Sequence, residues 1–353
     1  MKKLRWGVIG AGGIADRRTI PGMMLAEHAE LTAVMEINQE LSNSLQKKYG
    51  AKRAYTSERD LLADPEVDAV YIASPVVMHA KQAKMAADAG KHILLEKPIA
   101  MTSAEGQEVL DYCAEKGVKV AAGLMMRFGA HVQNMKKSIA ENKIGQVVSG
   151  YSQFTLWLPD QAGNWRQSKE KAGGGSMMDM GVHTIDLIEF ITGMRITQVA
   201  ALNETITFHY DVEDSSTVLM RLENGAQCVV QTNFNIPDEA ARWRLEFFGT
   251  KGRLMGDTMI GQVDGGTLNA LFLDGDMEYD ANQEHADDKG FYMDGSFGNL
   301  YTREIESFSK SILNNEPLVV PASDAVHIQR VMEAAYASTR EKKIVDLMCE
   351  SKQ

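Results

Sequence analysis

A chain of 353 residues is long for one hydrophobic core, so two domains are expected. Its 44% hydrophobic and 24% charged residues are those of a soluble globular protein, and a net charge of -11 without a clustered basic run excludes nucleic acid as a partner. Three scattered cysteines, Cys113, Cys228 and Cys349, without CxxC or Cys/His spacing exclude a disulfide framework and leave no metal site to expect.

KLRWGVI, residues 3 to 9, reads as a strand. Next comes GAGGIA: Gly10, Gly12 and Ala15 stand in GxGxxA spacing, with Gly13 and Ile14 between them. The first glycine permits a tight turn. The second lets backbone N–H groups reach a pyrophosphate, and the small third residue lets a helix pack close to the strand. The next strand, LTAVME, ends in Glu36, 21 residues past Ala15, where a carboxylate would bind a ribose 2′-OH. As a plain strand end, Glu36 would only be solvated.

Alternation continues. Gln39 to Tyr49 reads as a helix, and Ser57 can cap the helix ERDLLAD. VDAVYIAS is a buried strand closed by Pro75, and HAKQAKMAADAG is a helix stopped by Gly90. HILLE is a strand, SAEGQEVLDYCAEKG a helix and VKVAAGL another strand. Strands alternating with helices imply an α/β fold with a parallel, doubly wound sheet over residues 1–123. Ligands bind such sheets beyond the strands' carboxyl ends. Gly10, Glu36, Ser74-Pro75 and Glu96-Lys97-Pro98 all fall at such ends, so these charges should face a bound dinucleotide.

From residue 124 to 353 the texture changes to α+β. After the amphipathic helix RFGAHVQNMKKSIAENKIG come the β-rich stretches VVSGYSQFTLWL, ITQVAALNETITF, SSTVLMRLENGAQCVVQTNFN and RWRLEFFGTKGRLMGD. ENGAQ and GTKGR are turns, so this reads as an open, mostly antiparallel sheet. Late helices run from about Phe297 to Leu313 and from Ser323 to Arg340. One segment carries more: KAGGGSMMDMGVHTIDLIEFITG. Ser176 with Asp179 fits a capping box, Gly193 fits a helix stop, and Asp179 and His183 share one helix face. Ile185, Ile188 and Ile191 would hold the helix on the sheet. By itself the segment also admits a plainer reading, a cap and a satisfied helix histidine.

GxGxxA near residue 10, the strand ending Glu96-Lys97-Pro98, and the Gly-rich stretch with Asp179 and His183 together resemble the Gfo/Idh/MocA oxidoreductases, the family of glucose-fructose oxidoreductase and inositol dehydrogenase. The likeness runs along nearly the whole chain, through GVKVAAGLMMRF, ENKIGQV, NWRQSKEKAGGG and MEAAYASTREKKIVDL. It implies a Rossmann domain over 1–123, then a substrate-binding and oligomerisation domain over 124–353 whose sheet packs its helices on one side. The open face would serve homodimers or homotetramers. By this resemblance Lys97 is the catalytic-site lysine, Asp179 and His183 complete the site, and His79 stands near the nicotinamide end. SPVVMH departs from the family's TPNxxH, with Val76 where Asn is common. Arg127 and Asn164-Trp165-Arg166 fall where the family lines its substrate pocket.

The expected reaction is hydride transfer between nicotinamide and a secondary alcohol or ketone. His183 would be the base, Lys97 the charge beside the oxygen and Asp179 the orienting group, in a cleft between the domains. Glu36 would repel a 2′-phosphate, and INQE after it supplies no cation, so NAD is expected over NADP. Arg127, Trp157, Trp165, Asp179 and His183 suit a polyhydroxylated sugar, cyclitol or glycoside. The alternatives are transient oxidation leading to glycoside cleavage, a non-catalytic sensor, or an enzyme of non-sugar carbonyls. The short N-terminal strand, broken by Arg5, is no secretory leader, and no run is long enough to span a membrane; the expected compartment is the cytoplasm.

Overall fold

The computed structural model describes residues 2–275, 279, 281 and 289–347; Cys349 lies outside the described residues. In chain order the elements begin with β1 (Leu4–Ile9), α1 (Ile20–Leu25), β2 (Ala29–Met35), α2 (Gln39–Tyr49), β3 (Arg53–Tyr55) and α3 (Glu58–Leu62). They continue through β4 (Ala69–Ile72), α4 (His79–Asp88), β5 (His92–Leu95), α5 (Ser103–Glu115) and β6 (Val120–Ala122). Then come α6 (Ala130–Ala140), β7 (Val147–Thr155), α7 (Lys169–Ala172) and α8 (Val182–Thr192). Strands follow: β8 (Ile196–Glu204), β9 (Ser215–Leu222), β10 (Gln227–Asn233), β11 (Leu245–Gly249), β12 (Gly252–Asp257), β13 (Thr267–Phe272) and β14 (Phe291–Tyr292). The last elements are α9 (Leu300–Leu313), α10 (Ala322–Glu341) and β15 (Val345–Asp346). Two units emerge: Met1–Met125 with Gly163–Gly174 and Gly298–Glu333, and Met126–Ala162 with Gly175–Phe297 and Ala334–Gln353.

In the first unit six parallel strands run in the order β3-β2-β1-β4-β5-β6, the doubly wound arrangement whose order reverses between β1 and β4. The strands are apolar because helices cover both faces. Arg5 does not break β1, because its guanidinium reaches Asp68 at 2.6 and 2.9 Å. Trp6 is fully buried, donates from Nε1 to Ser309 Oγ and packs against Phe308, which holds α9 to this unit. Asn38 caps α2 by accepting from Leu41 N–H, and Gly50 ends it in the left-handed conformation. Ser57 occupies the N-cap position of α3, as read from the sequence, but its side chain makes no capping bond.

The second unit holds a nine-stranded sheet, β14-β13-β12-β11-β7-β10-β9-β8-β15, mixed through the parallel pair β7–β10 and otherwise antiparallel. Register sorts its two faces. Val199, Met220, Cys228, Gly150, Phe247, Leu254 and Ala270 pair in one row across the strands, and every one is buried. The next row, Ala200, Leu219, Val229, Tyr151, Glu246 and Met255, points the other way, and Leu219 is 46% exposed. Helix α8 covers the buried face at β7 and β10, with α6 packed against it. β8 stops at Glu204 rather than running through ITF. There Asp214 takes the N–H groups of Ile206, Thr207 and Phe208 at 3.0, 2.8 and 2.9 Å and folds that stretch into a loop. The strands β3, β14 and β15, of 3, 2 and 2 residues, are too brief to carry an alternating pattern. Among the described residues no helix is long and apolar enough to cross a membrane.

Candidate active site

The dinucleotide half of the site is built at the carboxyl edge of the parallel sheet. Gly10 turns the chain at φ +74°, and a Cβ there would meet Ser74 N at 2.8 Å, so β1 and β4 end against each other at the point of strand-order reversal. Gly13, at φ +58°, faces open space, which leaves its backbone approachable by a phosphate. Ile14 leads into a π-helical turn, Ala15–Thr19, before α1, and Ala15 is fully buried, as close helix packing requires. Glu36 stands just past β2, where its carboxylate accepts from Gly12 N–H at 3.2 Å and Ile37 N–H at 2.9 Å. The residues present therefore fit a dinucleotide: a glycine turn without side chains in its path, a helix start and a fixed carboxylate.

Ser74 donates to Gln82 Oε1, and Pro75 opens the short turn Val76–Met78 ahead of α4. His79 is 1% exposed; burial lowers its pKa, and the Ser74 and Pro98 carbonyls oppose that. At the end of β5, Glu96 accepts from the hydroxyl of Tyr71 and from Lys97 N–H at 3.1 Å, and Lys97 is half-buried before a cis Pro98. Tyr71 also accepts from Thr19 Oγ1 at 3.0 Å, so one buried chain of hydroxyls joins the glycine-loop helix to the lysine strand. Trp165 and Arg166 belong to this same unit. Asn164 accepts from Arg166 N–H, and the Arg166 guanidinium lies 4.5 Å from the Trp165 ring centroid.

Asp179, His183 and Arg127 belong to the second unit. The expected capping box does not form. Ser176 is already helical, at φ -59° and ψ -36°, and its buried hydroxyl donates to Thr232 O at 3.0 Å. The turn Met177–Gly181 is π-helical and continues directly into α8, so Asp179 sits on that turn and His183 in the first turn of the α-helix. The cap comes instead from Glu213, whose carboxylate accepts from Gly175 N–H, Met177 N–H and Tyr336 O–H at 2.9, 3.0 and 2.8 Å. Burial raises the Glu213 pKa, and these donors pull it back. His183 is buried, and α8 is buried nearly all round, so no single apolar stripe marks its sheet side. Arg127 is buried too. It donates to Asp186 on α8 from Nε and Nη2, at 3.0 and 2.5 Å, and stacks over Phe190.

Sequence reasoning missed Tyr71, Glu213 and Asp186. Tyr71 carried a signal, the one hydroxyl within the apolar strand AVYI; Glu213 and Asp186 act on partners 36 to 123 residues away and carried none. Burial pushes the Cys113 and Cys228 thiols up to about 11 and about 12, so neither is a nucleophile.

Residues 4–124 match the model of the oxidoreductase family with an NAD-binding Rossmann fold, and residues 132–255 match that of the GFO/IDH/MocA C-terminal domain. The chain belongs to the GFO/IDH/MocA oxidoreductases. Within that family it is 30% identical to a D-xylose 1-dehydrogenase (NADP(+)) of Haloferax volcanii, over 98% of this chain and all of the relative. It is also 30% identical to the 1,5-anhydro-D-fructose reductase of Ensifer adhaerens, over 78% of this chain and 82% of the relative. The crystal structure of an aldose-aldose oxidoreductase from Caulobacter crescentus complexed with glycerol superposes with a TM-score of 0.87 at 26% identity, covering 98% of this chain and 100% of that one. The GFO/IDH/MocA membership makes the protein an oxidoreductase with a dinucleotide-binding Rossmann domain.

Proposed function

We propose that this oxidoreductase transfers a hydride between NAD and a secondary alcohol or ketone of a sugar, cyclitol or glycoside. The observation that carries the reading is the carboxyl edge of the parallel sheet, where the glycine turn ends β1, the fixed Glu36 carboxylate ends β2 and Lys97 follows β5, all on one edge. The sugar names of the relatives support the substrate class. The first domain, 1–123, would bind the dinucleotide, and 124–353 the substrate. Through Gly10, Gly12, Gly13, Ile14, Ala15, Glu36, Ser74 and Pro75 the chain would hold the cofactor. NAD when bound accepts or returns the hydride.

His183 takes the hydroxyl proton, as an imidazole does near neutral pH. Lys97 stabilises the charge that develops on the oxygen, and Asp179 orients the substrate. Arg127, Trp165 and Arg166 are the remaining substrate-side candidates. NAD is favoured over NADP because Glu36 opposes a 2′-phosphate and the residue after it, Ile37, is 81% exposed and apolar where a cation would be needed. The row with exposed Leu219 and half-buried Val229, on the face opposite the buried one, supports a homodimer or homotetramer through the second sheet. The scarcity of cysteine supports a cytoplasmic setting.

The test is a screen of sugars, inositols and glycosides for NAD and NADP reduction, repeated on Lys97→Ala and His183→Ala. Each variant should lose about 10²- to 10⁴-fold in turnover while still binding NADH in a fluorescence titration. Near-normal turnover in either variant refutes its role. Product release without NADH accumulation would point to glycoside cleavage instead.

A further inference from the structure

His79 sits at the start of α4, 1% exposed, with both ring nitrogens against backbone carbonyls of different loops. Nδ1 lies 2.8 Å from Pro98 O, in the loop after β5, and Nε2 lies 2.8 Å from Ser74 O, in the loop after β4. Ser74 abuts the Gly10 turn, and Pro98 follows Lys97 directly. One imidazole therefore ties the glycine-turn side of the edge to the lysine loop. Two carbonyls on one ring need a proton on each nitrogen, so the tie is complete in the imidazolium form and half-made in the neutral one. In either form both ring nitrogens face backbone carbonyls, so neither is aimed at a ligand. The local chain is otherwise well held: Ser74 Oγ reaches Gln82 Oε1, and Glu96 takes Lys97 N–H.

The geometry points to His79 as a positioning residue that fixes the Lys97 loop relative to the loop after β4 and touches neither cofactor nor substrate. This deepens the proposed function, since the benefit of a fixed Lys97 is read in turnover. A misplacement of about 1 Å at a reacting group costs on the order of 10²-fold in rate, which sets the scale of the effect.

The test compares wild type with His79→Ala and with His79→Asn, which keeps one donor. Backbone hydrogen exchange in residues 72–78 and 96–102 should speed up by about tenfold or more in His79→Ala, with the rest of the chain unchanged. Turnover should fall about 10- to 100-fold while KM and the NADH Kd move less than about threefold, and His79→Asn should recover part of both effects. Unchanged exchange at 96–102 overturns the assignment, as does exchange that rises uniformly through the chain. A large loss of NADH affinity with turnover kept also overturns it, because the ring would then serve the cofactor directly. Should wild type reduce no compound at all, the hydride-transfer reading falls, and the exchange data alone decide the tie.

Discussion

Glu36 is held in place by Gly12 N–H and Ile37 N–H, so its carboxylate is preorganised beside the glycine loop. Removing it should cost a charged hydrogen bond to a ribose hydroxyl, worth roughly 1.5–3 kcal/mol, or about 10- to 100-fold in NAD affinity. Glu36→Ala should therefore weaken NAD and leave NADP equal or better, measured by parallel cofactor titrations. A wild type that prefers NADP would reverse the assignment. The residues of this loop were readable in the sequence because glycine spacing and a strand-end acid are local signals. Ser176 was misread for the same reason. Ser-x-x-Asp is a local pattern, but the hydroxyl was claimed by Thr232 O, 56 positions away.

At the scale of elements, the turn that carries Asp179 is anchored from outside its own sequence. Glu213 caps it, and a Cβ on Gly175 would lie 2.0 Å from Glu213 O, so only glycine passes there. Glu213→Ala leaves Gly175 N–H and Met177 N–H buried without an acceptor and should cost about 1–3 kcal/mol, read as a lowered denaturant midpoint. An unchanged midpoint would show that the cap is dispensable. Two helices beside site residues, α1 and α8, start on π-turns, Ala15–Thr19 and Met177–Gly181, where a regular α-helix was expected. The period of apolar residues does not separate these two geometries over five residues, so no reading of pattern alone could have placed them.

At the scale of the whole molecule, the stability curve should carry the signature of one buried acid. Glu304 lies in the apolar stripe of α9 with Leu300, Tyr301, Ile305 and Phe308, is 3% exposed, and among the described residues neither of its carboxyl oxygens has a hydrogen-bond partner. Burial, and then the charge of Glu96, raise its pKa well above the usual carboxylate range; Tyr71 and Tyr301 are the other titrating groups that feel it. The folded chain thus binds this proton more tightly than the unfolded chain. The resulting stabilisation is full below the unfolded pKa of about 4.3 and is lost as pH rises toward the folded value, at up to about 1.4 kcal/mol per pH unit. Glu304→Gln removes the slope, so its stability relative to wild type should grow between about pH 5 and pH 8 in urea unfolding. An equal difference at both pH values would mean that Glu304 is not the proton holder.

The sequence by itself determined the order of strands and helices in the first 123 residues, the glycine turn, Glu36 and Lys97 at strand ends, and the helix with His183. All of these rest on short-range pattern: apolar period, turn residues and spacing within about one βαβ unit. Only the tertiary structure decided that Glu213 rather than Ser176 caps the Asp179 turn, that Arg127 is buried on Asp186, and that α9 packs on Trp6 in the first unit. A buried polar group must find a partner wherever the fold brings one, and the partner's distance along the chain leaves no mark in the local sequence.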